Sequence, residues 1–131
     1  MPFPLNGKPS LPMSADFYCD SVLSGQVPVQ VVMETQRVLA FEHTRPTWQM
    51  HVVIIPKQHI ARLVDVTDPT LLSELLEVAV AIIRDRDLAG TNYKLITNGG
   101  SYQSTPHLHL HLVSGSPLDP HDPAQAGEMA V

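Results

Sequence analysis

Cysteine is nearly absent from this chain, with Cys19 the only one in 131 residues. One thiol excludes an internal disulfide and a cysteine-rich zinc module, and it fits a reducing compartment. Basic residues are also in short supply, with 8 Lys and Arg against 13 Asp and Glu and a formal net charge of −5. That balance argues against a general basic surface for nucleic acid, yet leaves room for a locally positive pocket that takes a small anion. Long apolar runs are missing, since the longest, such as His51 to Pro56, are strand-sized and too short to span a membrane. The opening Met1-Pro2-Phe3-Pro4 lacks the charged-then-apolar pattern of a signal peptide, so no membrane partner and a cytoplasmic location are expected. There is no internal repeat.

What is present is globular. Hydrophobic residues make up 44% and charged residues 16%, enough for one domain around a single core. Pro2, Pro4, Pro9 and Pro12 forbid a regular helix over 1–14, which reads as an arm. Ser14 is placed to cap a short helix over 15–23, with Gly25 as its stop. Val27 to Met33 and Arg37 to Phe41 read as strands joined by a turn at Glu34-Thr35-Gln36. Residues 42–50 are expected as a loop, and His51 to Ile55 as a strand buried on both faces.

The clearest helix lies between Asp68 and Ala89, with Asp68 as N-cap, Pro69 at N1 and Gly90 just past its end. Leu72, Leu75, Leu76, Ala79, Ile82 and Ile83 give it an apolar face. Tyr93 to Thr97 and His107 to Val113 read as the last two strands, separated by a loop over 98–106. The Pro-rich stretch over 116–131 reads as a tail, leaving 15–115 as the domain. This order indicates an α+β fold with a mainly antiparallel sheet of five strands, one short helix and one long. Helices confined to one face would leave the other face, or the sheet rim, free for a site.

His107-Leu108-His109-Leu110-His111-Leu112 alternates with period two. In a strand the three imidazoles then share one side, expected to be reachable by solvent, while the leucines pack under the long helix. Chance placement on a polar strand face explains one such histidine better than three. Two chemistries remain open on spacing alone. One is a three-histidine metal site. The other is a metal-free site where one ring is a nucleophile and its neighbours bind an anion.

The segment His51-Val52-Val53-Ile54-Ile55-Pro56-Lys57-Gln58-His59-Ile60, followed by the alternating run, resembles the histidine triad (HIT) family. Within it the pattern looks closest to the nucleoside phosphoramidase (HINT) branch. Gly25-Gln26-Val27-Pro28 and Leu39-Ala40-Phe41 are similar to the opening of that branch. The resemblance implies that His109 attacks the α-phosphorus of a purine nucleoside phosphoramidate or adenylylated small molecule. A nucleotidyl-histidine then forms, and water releases the nucleoside monophosphate.

By the same resemblance His107 and His111 orient that ring and contact phosphate oxygens, while His51 supports them from the next strand. Gln103 and Ser104 approach the phosphate and leaving group, and Asn98 reaches the ribose-phosphate region. Cys19, Val22, Val27 and Phe41 line an apolar purine slot, with His43 and Thr44 at its ribose end. His43 stands where the branch usually carries a ribose-binding aspartate. The loop before the run is shorter than in that branch, Pro106 precedes it, and the tail does not match. His59 and His121 read as structural or solvated.

A homodimer is implied, and no cofactor. Some members hold zinc through cysteines near the first helix, but Cys19 has no cysteine partner at Asp16, so no metal is expected there. The alternatives are a nucleotide-binding scaffold or sensor with little turnover, a dinucleoside polyphosphate hydrolase and a three-histidine metalloenzyme.

Overall fold

The computed structural model describes residues 16–118; Ser14, Ala15 and the expected arm lie outside them, as does His121. A π-helical turn over Tyr18–Leu23 opens the described chain. The strands are β1 (Val31–Glu34), β2 (Val38–Glu42), β3 (Trp48–Pro56), β4 (Tyr93–Thr97) and β5 (Leu110–Pro117), with helix α1 (Pro69–Asp85) between β3 and β4. They form one antiparallel sheet in the order β1-β2-β3-β5-β4. The fold is α+β, as the sequence implies.

The central strands alternate across two apolar layers. Val38, Ala40, Val52, Ile54, Leu108, Leu110 and Leu112 pack with Leu71, Leu75, Val78, Ala79 and Ile82 of α1. Leu39, Phe41, Val53 and Ile55 face the other way and pack with Tyr18 and Val22 of the opening turn. The two helical segments therefore cover opposite faces of the sheet, and the expectation of one bare face is corrected. Period-two alternation forces this: a strand apolar on both sides needs a cover on both.

Helix α1 starts as its sequence prescribes. Asp68 accepts the backbone N–H of Thr70 at 2.9 Å, and Pro69 occupies the first turn. Arg37, in the β1–β2 turn, reaches Glu74 at 2.8 Å and Asp68 at 3.1 Å, fixing the hairpin to the helix start. Its end differs from expectation. The chain turns at Asp87, with φ of 57°, well before Gly90. There Leu88 N–H donates to Ile83 C=O at 2.8 Å and Asp87 N–H to Arg84 C=O at 3.1 Å. This is a Schellman arrangement built on an aspartate.

The buried stripe of α1 also differs from the expected one. Leu71 and Val78 are buried whereas Leu72 and Leu76 are exposed, because the helix is apolar on two adjoining sides.

Strand limits move as well: β1 spans Val31–Glu34 rather than starting at Val27, where Pro28 follows without a backbone donor. β3 begins at Trp48, so the loop after β2 is only 43–47. β5 continues to Pro117, past Gly115. A register shift between Trp48 and Met50 in the β3–β5 pairing accommodates this, with Gly115 at φ 82° and Gln49 Oε1 accepting Ser116 N–H at 3.0 Å.

Candidate active site

The ladder of β5 starts at Leu110, so His107 and His109 precede it. The backbone there is used elsewhere. Pro106 has no N–H to give. His107 N–H donates to Thr105 C=O at 2.8 Å, and Leu108 N–H donates to Ile60 C=O at 2.6 Å. The Thr97 hydroxyl donates to His109 C=O at 3.2 Å. His107 lies in a bend, yet Leu108 still packs against α1 while the rings of His107 and His109 meet Tyr18 on the other side, so the alternation survives without the ladder.

The three imidazoles share the side opposite α1, but they are not open to solvent as the sequence suggests. His107, His109 and His111 are 0%, 3% and 1% exposed. The opening turn covers them, with the Tyr18 ring 5.9 Å from that of His107 and 5.1 Å from that of His109.

Backbone partners fix the tautomers. Thr47 N–H donates to His51 Nδ1 at 3.0 Å, so the proton of neutral His51 sits on Nε2. His51 Nε2–H then donates to His111 Nδ1 at 3.0 Å, which places the His111 proton on its own Nε2. That Nε2–H is buried with no hydrogen-bond partner among the described residues. His109 Nδ1–H donates to His107 C=O at 2.6 Å, leaving Nε2 as the lone-pair nitrogen of the neutral ring.

Burial, with neighbouring histidine charge, drives the His51 and His111 rings down to about 3, so both are neutral near pH 7. Burial and His109 lower His43 to about 4.

His43 is half-buried and belongs to this group. Its ring lies 4.3 Å from that of His51, and its Nδ1 accepts Arg45 N–H at 2.8 Å. The preceding Glu42 points away and pairs with Arg86 at 2.6 Å.

The His107 ring is used on the far side. Its Nδ1 lies 2.7 Å from Asp16 Oδ2 and its Nε2 donates to Pro56 C=O at 2.8 Å. Two residues given no such role by the sequence join it there. His59 Nδ1 is 2.6 Å from Asp16 Oδ2, and Cys19 Sγ is 3.2 Å from His107 Nδ1. Burial opposes charge on Asp16, but hydrogen bonds from the His107 ring and the Cys19 backbone prevail and hold it down to about 2. Burial and the Asp16 carboxylate push the Cys19 thiol up to about 12.

The alternating run therefore divides. Ligand atoms cluster as Asp16, Cys19, His59 and His107 on one side, and as His43, His51 and His111 on the other. His107, His109 and His111 do not converge as one three-histidine centre. Cys19 had a legible signal as the lone thiol, and Asp16 as the position where it lacks a cysteine partner; His59 had none, because only folding brings 16, 59 and 107 together.

The remaining expected residues are spread around this centre. Phe41 is buried beneath the opening turn, Val22 is buried within that turn, Val27 is half-buried, and Thr44 and Ser104 are exposed. Gln103 spends its amide N–H groups on Ala61 C=O at 2.6 Å and Thr105 C=O at 2.9 Å, bracing the loop. Asn98 is half-buried, and its Nδ2 has no hydrogen-bond partner among the described residues.

A buried histidine relay on a five-stranded antiparallel α+β sheet defines the class. The HIT domain family model matches residues 24–118, and the chain belongs to this family. Solved structures agree. A HIT family hydrolase from Legionella pneumophila is 36% identical with a TM-score of 0.70, covering 77% of this chain and 93% of its own. The histidine triad nucleotide-binding protein of Candida albicans is 27% identical with a TM-score of 0.69, covering 87% of each chain. A zinc-bound histidine triad family protein from Mycobacterium smegmatis is 28% identical with a TM-score of 0.66, covering 83% of this chain and 78% of its own. Among the described residues no helix is long and apolar enough to cross a membrane.

Proposed function

We propose that the protein hydrolyses purine nucleoside phosphoramidates or adenylylated small molecules through a nucleotidyl-histidine on His109. The observation that carries this reading is the fixed tautomer pair: a lone pair on His109 Nε2 beside a buried, unpartnered N–H on His111. Nε2 attacks the α-phosphorus in line, the bond to the leaving amine or oxygen breaks, and the leaving group takes a proton from solvent, which the water of the second step gives back. Water then attacks the same phosphorus, the P–N bond to His109 breaks, and the nucleoside monophosphate leaves. His111 Nε2–H donates to a non-bridging oxygen, where charge grows in the transition state. His107 acts through its carbonyl, which holds the His109 ring.

The nucleotide is assigned to Phe41, Val22, Val27 and Cys19 around the purine, with His43, Thr44 and Asn98 along the ribose and phosphate. Ser104 and Gln103 stand on the leaving-group side. The hydrolase from Legionella pneumophila and the nucleotide-binding protein from Candida albicans support this class of chemistry. Incubation with adenosine phosphoramidate is expected to release AMP, and rapid acid quenching to trap nucleotide on the protein. His109→Ala is expected to lower kcat by at least about a thousandfold, on the scale of removing a nucleophile. A wild-type rate in that variant would refute the assignment.

A binding-only reading has one observation in its favour. The Glu42 carboxylate is committed to Arg86, and His43 presents an imidazole at the expected ribose position. AMP binding without a trapped intermediate would select it.

We also propose a homodimer. Leu72, Leu76 and Val80 are exposed along one side of α1, and Tyr93 and Leu95 are exposed on edge strand β4. Exposed apolar side chains of this kind, on the helix and on the edge strand, are what copies of a chain bury against one another.

A further inference from the structure

Glu42 and His43 sit at the end of β2, and strand alternation sends their side chains to opposite sides. Glu42 reaches toward the end of α1, where Arg86 holds its carboxylate at 2.6 Å. His43 N–H donates to His51 C=O at 2.8 Å, which carries the β2–β3 pairing one residue further. The His43 ring therefore stays beside those of His51 and His111. The chain then folds back at once. Arg45 N–H donates to His43 Nδ1 at 2.8 Å, and Thr47 N–H to His51 Nδ1 at 3.0 Å.

These bonds decide what the loop offers a ligand. With Nδ1 accepting, the neutral His43 ring carries its proton on Nε2, and that N–H has no hydrogen-bond partner among the described residues. Burial keeps the ring neutral near pH 7, so it supplies a donor without a charge. Thr44 adds an exposed hydroxyl, and Arg45 a guanidinium. Arg37, Arg62 and Arg86 are each engaged by a carboxylate, whereas Arg45 is exposed and has no such partner among the described residues. On a chain of net charge −5 this is a local set of donors, with the adjoining carboxylate of Glu42 turned away.

A nucleotide's sugar is read by one of two chemistries. A carboxylate accepts from the free hydroxyls of a ribose, whereas an arginine with neighbouring donors holds a phosphate carried on one of them. The loop over 43–45 has the second chemistry. Nε2–H and a guanidinium can only donate, so a phosphate oxygen finds both hydrogen bonds and a full positive charge here. From this arrangement we infer that His43, Thr44 and Arg45 select a nucleotide bearing a phosphate on its ribose, at the 2′ or 3′ position, over one with a free diol. The inference rests on the proposed placing of the nucleotide, with its ribose at His43 and its α-phosphate at His111. Those two rings are 5.9 Å apart, so their N–H groups serve neighbouring parts of one small ligand.

Calorimetric titration of the full-length chain at pH 7 compares AMP, adenosine 2′,5′-bisphosphate and adenosine 3′,5′-bisphosphate. At least one bisphosphate is expected to bind about tenfold tighter than AMP or more, the scale of a hydrogen bond to a charged group. The two bisphosphate arms identify the position. Arg45→Ala should abolish the preference. His43→Asp, which turns an acceptor toward the sugar, should reverse it in favour of AMP. Arg62→Ala removes an exposed arginine from another loop and should leave the preference unchanged.

The inference is overturned if AMP binds as tightly as both bisphosphates, or if Arg45→Ala keeps the full preference. It is also overturned if Arg62→Ala loses as much as Arg45→Ala, since any surface cation would then serve. The proposed reaction fails separately. No AMP release from adenosine phosphoramidate would sink the reaction even with the preference intact, whereas release without the preference sinks only the inference. Binding of none of the three nucleotides would sink both.

Discussion

His51 and His111 take the order of their protons from one backbone amide, Thr47 N–H, and that order extends to the buried Nε2–H of His111. Keeping these rings neutral has a thermodynamic signature. Both sit at about 3 in the folded chain, and His43 at about 4, against 6.5 for an unperturbed histidine. Between those values the unfolded chain binds protons that the native chain refuses, so stability rises with pH there. It is complete above about pH 6.5 and is lost as pH falls toward the folded values, by up to about 1.4 kcal/mol per pH unit for each ring. Urea midpoints measured from pH 7 to pH 4 should show this slope, and a His51→Gln, His111→Asn double variant should flatten it. A slope unchanged in that variant would disprove the assignment. Asp87 gives a prediction of opposite sign. A non-glycine residue at φ 57° is strained, so Asp87→Gly should stabilise the protein by about 1 kcal/mol in thermal unfolding.

At the scale of elements, the β3–β5 pairing is the most constrained, because it positions His51 against His111 after an irregular start. A Cβ at Gly115 would fall 2.4 Å from Gln49 Oε1 and 3.0 Å from Gln49 Cβ, at a φ of 82°. Gly115→Ala should therefore destabilise by about 1–3 kcal/mol through strain and the displaced Gln49, measured by denaturant titration. A neutral effect would mean that the bulge is soft. The hairpin turn, the apolar run of β3, the N-terminus of α1 and the alternation after Pro106 were all legible, since each rests on local chemistry or on period two. The C-terminus of α1 was not, because Asp87 takes the left-handed position where a glycine scan points to Gly90. The buried stripe was ambiguous for another reason: with Leu71, Leu72, Leu75 and Leu76 adjoining, only the partner surface decides which pair is covered.

At the scale of the whole molecule, the sheet has covers on both faces, and one side of α1 and the edge strand β4 keep exposed apolar residues. If two copies meet there, Leu72→Glu with Leu76→Glu should give a monomer by sedimentation at concentrations where the wild type is a dimer. An unchanged sedimentation coefficient would exclude that surface. The same double variant should retain the fold, since neither leucine is in the core shared by α1 and the sheet.

The sequence by itself determined the family, the sheet-forming segments and the sidedness of the histidine run. A strand's period of two needs no tertiary information to put His107, His109 and His111 together on one side. The tertiary structure decided how those three rings differ. His111 is bound into a relay by His51, His109 is turned by a carbonyl, and His107 is drawn away to Asp16, Cys19 and His59. The physical reason is that a ring's tautomer depends on which donor or acceptor reaches each nitrogen. Several of those partners lie more than forty residues away in the chain, beyond any local pattern.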